Sequence, residues 1–73
     1  MQATAYQTAI ESYLLRITSR ATAILSEGGR KAATHIRKLK TSARRTLIQR
    51  GLSPLVADQY VADAITEAEA YHL

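Results

Sequence analysis

The sequence predicts an all-α fold, a small three-helix bundle, on three observations. Chain breakers gather at two places only, Gly28-Gly29 and Gly51 with Pro54. Each of the three segments they bound spaces its apolar residues three and four apart, as one face of a helix requires. Alternation of apolar and polar residues never persists, and alanine-rich spacing favours helix over strand. The expected helices lie near 4–26, 30–50 and 54–71, in one domain spanning 1–73.

In the first segment Tyr6, Ile10, Tyr13, Leu14, Ile17, Ala21, Ile24 and Leu25 fall on one face at 100° per residue. Gly28 suits the left-handed position that ends a helix. In the second, Ala32, Ile36, Leu39, Ala43 and Leu47 form the stripe, and Gly51 ends it. The third opens with Ser53-Pro54, an N-cap followed by proline at the first helical position. Its stripe is Ala57, Tyr60, Val61, Ala64, Ile65, Ala68 and Tyr71. Leu15, Ile48 and Leu55 fall outside these stripes. Lone exposed apolar residues are normal on a protein surface, and a dimer contact through Leu15 and Ile48 is the sharper expectation.

Size bounds the rest. A chain of 73 residues buries only about 60% of the surface it exposes when unfolded, so a single core is marginal. Disulfides, metals or oligomerisation often help such chains. There is no cysteine, which removes disulfides and thiolate metal sites. His35 and His72 are the two imidazoles and stand far apart in sequence. Homodimerisation is therefore the expected support, and no metal or cofactor is expected. No apolar run reaches the ~18 residues of a membrane span. The first ten residues lack the basic-then-apolar order of a signal peptide, so a cytoplasmic protein is expected.

Charge carries the functional expectation. Residues 30–51 hold eight of the ten basic residues and no acid. Six of the eight come as doublets, Arg30 with Lys31, Arg37 with Lys38, and Arg44 with Arg45, one every seven residues. Lys40 and Arg50 lie nearer the apolar seam. Residues 1–27 sum to zero, and 52–73 sum to −4 through Asp58, Asp63, Glu67 and Glu69. Solvated helical faces usually mix signs, because opposite charges four apart stabilise a helix and like charges repel. Arg30 and Lys31 also sit where the helix dipole disfavours cations. This arrangement points to an anionic partner rather than to a wet surface or to neutralisation by the acidic third segment. The residues expected to bind it are Arg30, Lys31, Arg37, Lys38, Lys40, Arg44 and Arg45.

A rigid cationic helix matches duplex nucleic acid, whose phosphates supply most non-specific affinity. Single strands call for aromatic stacking platforms, and all four tyrosines lie outside residues 30–51. An acidic protein surface satisfies the same charges. The rival function is accordingly a small regulator or inhibitor that docks on a larger protein. A third reading is a structural oligomer whose basic and acidic helices pair between subunits. A membrane surface is not expected, because the apolar face of the second helix is thin.

Residues 46–65, "TLIQRGLSPLVADQYVADAI", resemble a DNA-binding helix-turn-helix. Leu47 is followed four residues later by Gly51, then Leu52, then Ser-Pro opening the next helix. The resemblance implies base reading by the third helix. That helix departs from the pattern, since it would present Asp58, Gln59 and Asp63 to a polyanion, where Arg, Lys, Asn and Gln are the usual readers. An ordinary turn between packed helices is the favoured reading, and the second helix is the expected binding element. "SEGGRK", residues 26–31, lacks the spacing of a phosphate-binding loop and reads as a turn. No paired carboxylates, metal spacing or oriented histidine point to catalysis, so no enzyme activity is expected.

Overall fold

Gly51 stops the second helix by a device that the sequence announces. In the computed structural model, which describes residues 5–72 and the side chains of 7–71, Gly51 has φ 105°. Its N–H donates to the Ile48 carbonyl at 3.0 Å, and the Leu52 N–H donates to the Leu47 carbonyl at 3.1 Å. This is the paired closure of a Schellman ending. Gly28 ends the first helix with φ 62° and a single bond to the Ile24 carbonyl at 3.1 Å. The third helix starts as expected, with the Val56 N–H donating to Ser53 Oγ at 3.3 Å. An alanine at 51 would have to hold the left-handed region, which strains an L-residue by about 1–2 kcal/mol. Gly51→Ala is expected to lose that much stability in urea unfolding, and an unchanged midpoint would show that the ending does not hold the turn.

The three helices are α1 (Ala5–Glu27), α2 (Ala32–Gln49) and α3 (Pro54–His72). They form an all-α three-helix bundle with no strand among the described residues. α2 begins two residues later than the periodicity predicts. Gly28 and Gly29, both at positive φ, carry the chain through a turn that includes Arg30 and leaves Lys31 at the N-cap. No side chain caps α2 there. α2 runs back along α1, so that Arg50 after its end meets Tyr13 in the first half of α1.

One core joins all three helices. α1 supplies Ile10, Ile17 and Ala21, α2 supplies Ala43 and Leu47, and α3 supplies Ala57, Val61, Ala64, Ile65 and Ala68. Tyr13, Leu14, Leu25, Ile36, Leu39, Ile48 and Leu52 pack against it while half-buried. α1 and α3 share the larger interface, where alanines at 21, 57, 64 and 68 leave little side chain between the backbones. Thr18, the buried polar residue of α1, turns its hydroxyl onto the Leu14 carbonyl at 3.1 Å and needs no other partner.

Two members of the expected α3 stripe lie outside the core: Tyr60 and Tyr71 are exposed. Both sit at the edge of the arc centred on Ala57, Ala64 and Ala68, and a close alanine-lined seam has no room for a phenol ring. Tyr6 lies outside the residues whose side chains are described. Leu15 and Leu55 are 66% and 71% exposed. Ile48, by contrast, leans onto the core. The Cα radius of gyration, 12.7 Å, exceeds the roughly 11 Å typical of this length. The molecule is elongated, 41 × 23 × 14 Å, and its core is correspondingly thin.

Candidate polyanion-binding surface

The cationic surface is built on α2 by helical phase. At 100° per residue, Ala43, Ile36 and Leu47 point into the bundle. The two members of each helical doublet then point about 100° apart. Arg37 and Arg44, with Lys40, border the groove between α2 and α3. Lys38 borders the groove between α1 and α2, and Arg45 lies close to the crest. Arg30 and Lys31 precede the helix and extend the surface into the turn. All seven expected binding residues are exposed.

One of them is paired. Arg44 Nε donates to Asp58 Oδ1 of α3 at 2.6 Å, with the two side chains 46% and 55% exposed. A pair this exposed contributes about 0–1 kcal/mol, because water screens it. It still lowers the charge that Arg44 offers to a ligand. Among the described residues, Arg30, Lys31, Arg37, Lys38, Lys40 and Arg45 have no carboxylate within 4 Å. The acidic third segment thus neutralises the basic helix at one position and leaves six cations open. Asp63, Glu67 and Glu69 are exposed on α3 and likewise have no cation within 4 Å among the described residues.

Arg50 behaves differently from the doublets. Its guanidinium lies 4.9 Å from the Tyr13 ring centroid, and that of Arg16 lies 5.9 Å from the same ring. Such contacts stabilise by about 0.5–1 kcal/mol at exposed sites. Arg50 therefore ties the end of α2 to α1, a packing role that its place near the seam anticipates.

Two further cations escape a reading by segments. Arg16 and Arg20 of α1 border the same groove as Lys38 and His35. Summing residues 1–27 cancels them against Glu11 and Glu27. Their phase, one turn apart and beside the Tyr13–Ile17–Ile24 stripe, is the signal that places them next to α2. Among the described residues no group of three or more His, Cys, Asp or Glu is placed to hold a metal ion. No helix there is long and apolar enough to cross a membrane. Compared with protein-family models, curated proteins and solved structures, the chain matches none of them.

Proposed function

We propose that this chain binds duplex nucleic acid, largely through the phosphate backbone, by way of α2 and the turn before it. The observation that carries the reading is the set of six exposed cations with no carboxylate partner among the described residues. Selection for stability alone does not produce it. α2 has no capping side chain, no acid in its first turn and a lysine at the N-cap, where the helix dipole repels positive charge. Lys40 and Arg44 also stand four apart, a repulsive spacing that opposes helix formation by about 0.2–0.5 kcal/mol. An anionic ligand converts each of these unfavourable terms into binding energy, since every neutralised phosphate releases a counterion.

The test is a salt titration of binding to a duplex. Log affinity is expected to fall linearly with log salt, by about 0.9 for each phosphate contacted. Asp58→Asn with Asp63→Asn is expected to leave affinity unchanged or raise it, since Arg44 is released and repulsion of phosphate by α3 is relieved. A sharp loss on sequence-specific DNA would instead make α3 a reading helix.

A second reading has one observation in its favour. The Arg44–Asp58 contact demonstrates that a carboxylate fits the α2–α3 flank, as an acidic protein surface would require. Affinity purification with and without nuclease separates the two: a stoichiometric protein partner that survives nuclease favours the protein-docking regulator. We further propose that the thin core is supported by self-association at micromolar concentration, through exposed apolar residues such as Leu15 and Leu55. Sedimentation equilibrium reporting a monomer far above that range removes the dimer.

A further inference from the structure

The groove between α1 and α2 carries more positive charge than either helix reveals alone. Arg16 and Arg20 line one wall and Lys38 lines the other, with His35 beside it. Glu27 is the carboxylate on the rim, and it lies more than 4 Å from each of these cations. Three cations therefore face one groove without a counter-charge in contact among the described residues. Hydroxyls of Ser19 and Ser42 stand among them and can donate to an anionic oxygen. The Tyr13 ring, half-buried, underlies Arg16 and limits the directions in which that guanidinium can point.

We propose that this groove seats a stretch of sugar–phosphate backbone, with Arg16 and Arg20 binding phosphate from α1 and Lys38 from α2. The proposal rests on the reading of α2 as a nucleic-acid-binding helix and extends it to a second element. The chemistry of the groove suits a phosphate strand. Guanidinium groups bind phosphate oxygens in a bidentate fork, and two of the three cations are arginines. Lys31, Lys38 and Arg45 recur every seven residues, about 10.5 Å apart at ~1.5 Å per residue. Of the three, Lys38 lines the groove, while Lys31 at the N-cap and Arg45 near the crest continue its row along α2, so an extended polyanion leaving the groove meets further charge. Finally, the opposite flank is weaker for this purpose, because Arg44 there is already engaged by Asp58.

The α1 arginines are thus binding residues that the acid-free segment does not contain. They also give the surface two walls, so phosphate is held between helices rather than on a single crest. The experiment compares wild type with Arg16→Gln/Arg20→Gln in salt titrations on a short duplex, with circular dichroism as the check on folding. The variant is expected to stay helical and to lose roughly 1.8 from the salt slope, two contacts at about 0.9 each. Affinity near physiological salt is expected to drop by at least about tenfold. A folded variant with wild-type slope and affinity overturns the groove and leaves α2 as the binding element. A wild type without duplex affinity overturns both readings at once. Retention of poly-glutamate in its place, lost in the double variant, would assign the groove to an acidic protein and overturn the phosphate proposal. Arg20→Gln alone keeps the Arg16–Tyr13 contact, so it serves if the double variant unfolds. A slope lower by about 0.9 supports the groove and an unchanged slope overturns it.

Discussion

Leu47→Ala is expected to lower stability by about 2–5 kcal/mol, the range for removing a fully buried leucine. Leu47 is 0% exposed and is the largest fully buried side chain of the core. The other buried core residues are alanine, valine and isoleucine, and such side chains, fixed on rigid helices, collapse poorly into a void. A domain of this length holds roughly 4–11 kcal/mol in all, at about 0.05–0.15 kcal/mol per residue. The substitution therefore removes a large share of the total. Each kcal/mol lowers Tm by about 4–8 °C in a domain of this size. Urea unfolding reads the effect as a lower midpoint with an unchanged slope. Leu15→Ala, on a side chain 66% exposed, is the matched control and is expected to shift stability by only about 0.5 kcal/mol. A loss below about 1 kcal/mol in Leu47→Ala would mean that α2 does not dock through this residue.

Leu47 was legible as core because its position repeats the spacing of Ile36, Leu39 and Ala43. The same holds for the helix ends. Gly28, Gly51 and the Ser53-Pro54 pair are local signals, and each acts where it stands in the chain. Features that depend on which helix lies beside which were not legible. Arg44 and Asp58 are fourteen residues apart, and no periodicity within one helix brings them together. Arg16 and Arg20 vanish into a neutral segment sum, yet packing sets them beside Lys38. Tyr60 and Tyr71 obey the helical spacing of α3 but not its width: the buried arc is as narrow as its alanines allow. Arg30 and Lys31 continue the seven-residue repeat in sequence, while two glycines at positive φ hold them in the turn before α2. Pattern along one helix thus fixed the core, and packing between helices decided which cations share a groove.

Replacing Arg37, Lys38, Arg44 and Arg45 together with glutamine is expected to abolish duplex binding near physiological salt. All four side chains are exposed, and they occupy both flanks of α2 as well as its crest. If each contacts one phosphate, the salt slope falls by roughly 3.6, four contacts at about 0.9 each. Arg44 is expected to contribute least of the four, because Asp58 already holds its Nε at 2.6 Å. Its removal also frees the Asp58 carboxylate to repel phosphate, so the variant is penalised even where Arg44 itself touches nothing. The fold is expected to survive. Surface substitutions shift stability by about 0.5 kcal/mol or less each, and the exposed Arg44–Asp58 pair adds about 0–1 kcal/mol. Removing like charges from α2 relieves repulsion in compensation. Arg50→Gln is the internal control. It breaks the contact with Tyr13 at 4.9 Å, so stability is expected to fall by about 0.5–1 kcal/mol with little change in affinity. Salt titration and circular dichroism of the three proteins decide the matter. Equal affinities in wild type and a well-folded quadruple variant would make the basic face of α2 a solvated surface and nothing more.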